Sequence, residues 1–569
     1  MLNDQLRRLF CSRYTRLQRL HPCFFKQAPA LAVGFLSLLA PGLADSPSFA
    51  NTSIMPRQHA AQDLAAIAEP HTQDRIRKFF AGRNKRLPQA PAGGGLALTV
   101  AQQTTRVSTS QAAPPRRADI SLNGQGAADN FGYSVAAAGD FNGDGKPDIV
   151  ISAPFDDNNG KSASGSVFIF FNGAEARTGA ADVILEGQSA GDNFGFSVAS
   201  AGDFNGDGKT DVIVGAPFDD NNVEVDSGSA FIFFGGVTGV RRADADADVI
   251  IEGQSAGDNF GYSVASAGDF NGDGKADIIG GAPFDDNNGE SASGSAFIFF
   301  GGITGTHRVD ADADVILNGQ SAGDNFGFSV APAGNVNGDA KADVIVGAPF
   351  DDNNGEIDSG SAFVFFGGVT GARRADADAD IILNGQSGDD QLGSSVASAG
   401  DFNGDGKTDV IVGAPFDDNN DEDDSGSAFI FFGDATGTRR ADADADVILN
   451  GQSEDDGFGA SVATAGDFNG DGKTDVIVGA SGDDNNDEED SGGAFVFFGN
   501  AAGTRRADAD ADVILKGLNG GDNFGTTVAS VGDINGDGKA DIIVGAPGSD
   551  NRGANDSGSA FLFLGGKQR

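Results

Sequence analysis

Residues 203–216 read DFNGDGKTDVIVGA, a turn dense in Asp, Asn and Gly that runs straight into an apolar stretch. The nine-residue string that opens it, D-x-N-x-D-G-K-x-D, recurs at Asp140, Asp203, Asp269, Asp401, Asp467 and Asp533, with a weakened copy, NVNGDAKAD, at Asn335. Successive copies start 63 residues apart once and 66 residues apart five times. So regular a period means one supersecondary unit copied seven times, each unable to bury its apolar faces alone.

Working outward from this string, each unit reads as four short strands. In the second copy they are FSVASAG (196–202), DVIVGA (211–216), SAFIFFG (229–235) and DVIIEG (248–253), separated by turn-rich segments such as PFDDNNVEVDSG and GVTGVRRADA. No segment has a helical period. The first strand is built from Ser, Ala and Gly, which suits a crowded centre, while Phe231, Phe233 and Phe234 of the third suit the outside, where twisted sheets splay apart. The second strand is a continuous apolar run, as expected where sheets cover both faces. The expected fold is therefore all-β: a seven-bladed β-propeller of four-stranded antiparallel blades. A strand of the fourth type, DISLNGQ (119–125), precedes the first copy, and the last copy stops after its third strand, SAFLFLGG (559–566). Seven complete blades result if the N-terminal strand docks on the last sheet and closes the ring; an open stack of repeats is the competing arrangement.

Phe-Gly precedes the first strand (Phe131-Gly132, Phe194-Gly195, Phe260-Gly261, Phe326-Gly327, Phe458-Gly459, Phe524-Gly525), and Gly-Ala-Pro follows the second (215–217, 281–283, 347–349, 413–415, 545–547). Over residues 119–566 this pairing resembles the FG-GAP repeat, which builds the seven-bladed propeller of integrin alpha subunits. The departures, Leu392-Gly393, Ser152-Ala153-Pro154 and Gly479-Ala480-Ser481, are local packing changes.

The acidic turns are candidate metal loops. Side-chain oxygens at positions 1, 3, 5 and 9, with a glycine at position 6 for the sharp turn, form a hard-donor set without His or Cys, which selects calcium over zinc or copper. Position 7 would offer its backbone carbonyl, with the lysine side chain in solvent. Position 12 is not Glu and strands flank the loop, so this is not an EF-hand. The resemblance also implies calcium between the first and second strands of each blade. The candidate ligands are Asp140, Asn142, Asp144, Lys146 and Asp148; Asp203, Asn205, Asp207, Lys209 and Asp211; Asp269, Asn271, Asp273, Lys275 and Asp277; Asn335, Asn337, Asp339, Lys341 and Asp343; Asp401, Asn403, Asp405, Lys407 and Asp409; Asp467, Asn469, Asp471, Lys473 and Asp475; and Asp533, Asn535, Asp537, Lys539 and Asp541. The fourth loop is the weakest, having Asn335 for the first Asp and Ala340 for the glycine. An acidic hairpin that binds nothing is the competing reading, since these are ordinary turn residues.

By strand order the metal loops should share a face with Arg241-Arg242, Arg373-Arg374, Arg439-Arg440 and Arg505-Arg506 and their companion Asp runs, read as a mutually neutralising rim. The opposite face bears PFDDNN and its variants, opposed only by Lys161 and Arg552 and densest at Asp421–Asp424 and Asp487–Asp490. The resemblance makes this acidic loop face the candidate surface for a protein ligand.

The formal charge of −45 over 569 residues repels nucleic acid and anionic membranes. Catalysis is poorly served: the repeat region contains one histidine, His307, and no Cys or Trp, which leaves few nucleophile–base pairs. Residues 1–27 carry six Lys or Arg against Asp4 and precede an apolar run, 28–44, which reads as a signal peptide over 1–50 cleaved near 44 or 50. Residues 51–118 read as a low-complexity linker. The expectation is an exported calcium-binding adhesion or protein-binding module, extracellular, at the cell surface or periplasmic, without a transmembrane segment in the mature chain. A matrix scaffold is the second reading and a propeller-based hydrolase or lyase the third.

Overall fold

The computed structural model describes residues 116–566 except 159, 172–179, 222–223, 288, 354, 420–421, 435, 486–487 and 552. The segment read as a signal peptide and all but the end of the one read as a linker lie outside the described residues. Seven antiparallel blades follow one another, each with the expected four-strand order. In the second blade the strands are Ser197–Gly202, Asp211–Ala216, Ser229–Phe233 and Val249–Glu252. Every residue of each second strand is buried, from its opening Asp through the Val/Ile run and the small Gly, Ser and Ala that follow. The small-residue first strands of successive blades adjoin one another around the whole circle, Thr527–Gly532 meeting Val135–Gly139. The apolar core is divided among the seams: Val150 and Ile169 of the first blade pack with Phe194, Val212, Phe231 and Phe233 of the second, and each other seam has its own cluster.

The paired motifs have a steric cause. A Cβ on Gly215, the first residue of Gly-Ala-Pro, would stand 2.0 Å from the carbonyl oxygen of Gly261, the Gly of Phe-Gly in the next blade, so only backbone fits there. The adjoining Phe260 is 1% exposed and meets Phe297 edge-on at 5.8 Å.

The ring closes as expected. Ile120–Asn123 pairs antiparallel with Ser559–Leu562, with Asp119 N–H on Leu562 O at 2.9 Å and Leu564 N–H on the Asp119 carboxylate at 3.0 Å. The folded part begins earlier than the boundary at 119, because Arg116 bridges in parallel to Leu515 of the sixth blade.

One element was not legible. The segments read as loops after the third strand hold a fifth strand and a single helical turn in blades two to six: Gly239–Arg242 and Ala243–Asp246 in the second. The fifth strand pairs in parallel with the outer strand of the preceding blade, Val183↔Gly239 through Glu186↔Arg242. Three of its four residues are exposed, so the pairing is a backbone affair that leaves no alternating pattern to read.

Leu122 of the closing strand is 3% exposed. Leu122→Ala should cost roughly 3 kcal/mol of unfolding free energy. Denaturant unfolding checks this, and a change below about 0.5 kcal/mol would mean that the strand does not hold the ring.

Candidate functional site

Each acidic turn springs from a β-bulge at the end of a first strand. In the second copy the Asp203 carboxylate accepts the Gly206, Asp207 and Gly208 amides at 2.8–3.0 Å, Asn205 Oδ1 accepts Asp207 N–H at 2.7 Å, and Asp207 Oδ1 accepts Lys209 N–H at 2.9 Å. Positions 1, 3 and 5 are thus gathered onto one short run of amides. Position 9 is tied elsewhere. Asp211, fully buried, accepts Phe204 N–H and Asn205 N–H on one oxygen and Gly235 N–H, from the turn after the third strand, on the other. Burial pushes Asp211, Asp277, Asp343, Asp409, Asp475 and Asp541 up to about 6, so their charged form gains from any nearby cation.

The residues fit calcium by donor type and by an orphaned atom: Oδ1 of Asp401 and Oδ1 of Asn335, both at position 1, are buried without a hydrogen-bond partner. The carboxylates are nevertheless held on amides, and among the described residues no three acidic, His or Cys side chains converge closely enough to hold a metal ion. The fourth loop keeps the shared conformation despite its substitution, Ala340 taking φ +74° where the other copies have glycine at about +85° to +90°. Left-handed backbone costs an alanine ~1 kcal/mol. Ala340→Gly should therefore raise stability by ~1 kcal/mol, read as a higher melting temperature; a lower one would mean that the loop is not strained.

Lys146, at position 7 of the first loop, is exposed, with open space over Gly536 of the seventh loop. In the second loop, by contrast, the lysine side chain lies across the seam on the preceding blade's loop: a Cβ on Gly143 would be 3.2 Å from Lys209 Cε. Lys539 Nζ donates to Asn469 O of the preceding loop at 3.0 Å, whereas Lys407 pairs within its own repeat, with Asp434. Position 8 reinforces this, since Thr210 N–H donates to Asp140 O and Thr210 Oγ1 accepts Asp140 N–H, both at 3.1 Å. The loops therefore form a chain of inter-blade contacts, for which a single repeat offers no sequence signal.

The acidic face is partly absorbed by its own architecture. Asn221 Nδ2 donates to Gly228 O and Ser229 Oγ, and Asp220 accepts Asp226 N–H. Glu422, Asp423, Glu488, Glu489 and Asp490 remain exposed, whereas Asp421 and Asp487 lie outside the described residues. The arginine segments do form i,i+4 pairs, Arg242–Asp246 at 3.3 Å and Arg440–Asp444 at 3.2 Å. They do not stay on the metal-loop face, however, because the fifth strand carries Asp244 along the preceding blade to the neighbourhood of Asp192 and Asp219.

Matches to the family described as FG-GAP repeat cover residues 131–170, 194–233, 260–299, 392–431, 458–497 and 524–563, and a second profile of the same description covers 312–365. The chain is an FG-GAP repeat protein. It is 34% identical to integrin alpha-7 of Homo sapiens over 165 residues, 29% of this chain and 13% of that protein. It is 34% identical to integrin alpha-5 of Xenopus laevis over 227 residues, 38% and 20% respectively, and 31% identical to integrin alpha-PS2 of Drosophila melanogaster over 227 residues, 38% and 15%. The matches span a fifth or less of these relatives' own length.

This FG-GAP propeller also carries carboxylate clusters that the sequence reading did not single out. Burial first, then Asp219 and Asp244, push Asp192 up to about 7; Asp258, Asp324 and Asp456 stand at about 7 for the same reasons, and Asp390, beside Asp417 and Asp442, at about 8. An acid whose folded-state value is raised holds its proton more tightly when folded, so its contribution to stability is full below the usual carboxylate range and is lost as pH rises toward about 7. In excess chelator the melting temperature should fall between about pH 5 and pH 8. Asp390→Asn should raise the value at the higher pH by ~1 kcal/mol equivalent and leave the lower nearly unchanged. A flat profile would count against the clusters.

Proposed function

We propose that this chain is an exported, non-catalytic adhesion or protein-binding propeller stiffened by calcium at its acidic turns. The observation that carries the reading is the FG-GAP match across all seven repeats, coupled to an all-oxygen loop at the same place in each. Side chains at positions 1, 3, 5 and 9, from Asp140 and Asp148 in the first loop to Asp533 and Asp541 in the last, would hold the ion. A bound divalent cation offsets converging negative charge and adds stability by mass action. Since Gly235 N–H and Thr210 already tie neighbouring elements to these loops, an ion that fixes a loop also fixes the seam beside it. Export rests on the leader, and among the described residues no helix is long and apolar enough to cross a membrane.

The ligand face of this reading is the acidic one, and its partner is a basic protein. Glu422, Asp423, Glu488 and Glu489 form the exposed patch that such a protein would meet. A matrix scaffold would share the calcium loops but need no ligand at that patch. The test is a melting curve in excess chelator and in millimolar calcium, followed by binding of a lysine-rich polypeptide to the wild type and to the variant with these four residues replaced by their amides. Calcium should raise the melting temperature by several degrees, and the variant should bind more weakly with the calcium shift intact. An unchanged melting temperature would sink the metal reading; unchanged binding would sink the ligand face alone.

A further inference from the structure

Every acidic turn carries Asn-Gly at positions 3 and 4, a step in which the glycine nitrogen has no side chain to shield it from the asparagine carboxamide. In four copies the carboxylate at position 1 ties that nitrogen down. Gly206 N–H donates to Asp203 Oδ1 and Gly272 N–H to Asp269 Oδ1, both at 2.8 Å, while Gly470 and Gly536 donate to Asp467 and Asp533 at 2.7 Å. In the first copy Asp140 holds Asp144 N–H and Gly145 N–H instead, and in the fifth Asp401 holds Gly406 N–H. The fourth copy has none of these bonds. Its position 1 is Asn335, whose Oδ1 is buried without a partner, and the exposed Gly338 offers its N–H to no acceptor among the described residues.

The third copy is the direct comparison. Asn271 Oδ1 accepts Asp273 N–H at 2.7 Å and Asn337 Oδ1 accepts Asp339 N–H at 2.8 Å, and each asparagine Nδ2 donates to the same aspartate's carboxylate at 3.1 Å. Both strings read N-G-D. What separates them is the glycine nitrogen, bound to Asp269 in one turn and without a protein partner in the other.

We propose that Asn337 is a site of spontaneous covalent modification, its carboxamide converted to a carboxylate through attack by the Gly338 nitrogen, a reaction that a position-1 aspartate holds back where it binds the glycine amide. The Gly338 nitrogen gives up its proton to water and bonds to Asn337 Cγ. The Cγ–Nδ2 bond breaks, and Nδ2 leaves as ammonia with a proton from water. A second water then opens the five-membered imide at one carbonyl to give aspartate, or at the other to give isoaspartate. Where Asp269 holds the amide, a charge-assisted hydrogen bond has to break first, which slows the step by about tenfold. The product changes the turn, because the fourth copy has only Asp339 and Asp343 where the others have three aspartates, and conversion supplies a third carboxylate at position 3.

The test is incubation of the full chain in mildly alkaline buffer with excess chelator, so that metal occupancy plays no part, followed by peptide mass mapping of Asn271 and Asn337 over time. Asn337 should convert about tenfold faster than Asn271 in the folded chain and at the same rate in denaturant. Asn335→Asp, which installs the residue the other six copies carry there, should slow Asn337 to the rate of Asn271, and Asp269→Asn should speed Asn271. Equal rates in the folded chain, a faster Asn337 in denaturant as well, or rates indifferent to either substitution would overturn the proposal.

Discussion

The structure depends on one close approach: glycine backbone of one blade against glycine backbone of the next. Six of the seven seams have it, from Gly215 against Gly261 O to Gly545 against Gly132 O, each leaving only 2.0–2.1 Å for an absent Cβ. At the remaining seam Ser152 stands in the first glycine's place and turns its Oγ back to accept Ser134 N–H. Because these contacts set blade spacing, they also set which side chains can fill the wedge outside them. Phenylalanines from the Phe-Gly pair and the third strand occupy that wedge edge-to-face, a geometry available only once the backbones have met.

On the acidic-turn side the same seams are closed by hydrogen bonds and lysine struts. Gly368 N–H reaches Phe270 O and Gly566 N–H reaches Phe468 O, each crossing from one repeat to the loop of the one before. The closing seam is poorer. Position 8 of the first loop is Pro147, which has no N–H to give to the seventh loop, so the contact that Thr210 and Ala540 make elsewhere is missing there. Closure therefore leans on the N-terminal strand and on Arg116, whose guanidinium meets Asp119 at 2.8 Å and lies over Phe468 at 5.4 Å.

The blades, their number and the closing strand were legible because each is written as hydrophobic period or strict repetition. The acidic loops were legible because Asp, Asn and Gly at fixed offsets do something specific with backbone amides. The fifth strand was not, since Gly239–Arg242 contributes backbone alone and its partner lies in another repeat. Lys209 was misread for a related reason: a charged residue at the tip of a hairpin belongs in solvent unless a neighbouring copy supplies a surface, and that surface is visible only when two repeats are placed side by side. The carboxylate clusters combine residues from three separate segments, so no local string announces them.

Repetition also limits where individuality can reside. A feature present in every blade, such as an acidic turn or a glycine contact, offers a partner many equivalent places and cannot by itself fix one orientation. The copies differ in few respects. Residues following Phe-Gly form a continuous aromatic run from Tyr133 through Phe196 and Tyr262 to Phe328, ring centroids 4.9–5.3 Å apart, and are replaced by Ser394, Ala460 and Thr526 over the other three blades. The second-to-third-strand loops are most acidic in blades five and six. The first repeat is three residues shorter than the others. Packing can be shared by all seven blades, but recognition of a single partner has to use these asymmetries, because only they distinguish one rotation of the ring from another.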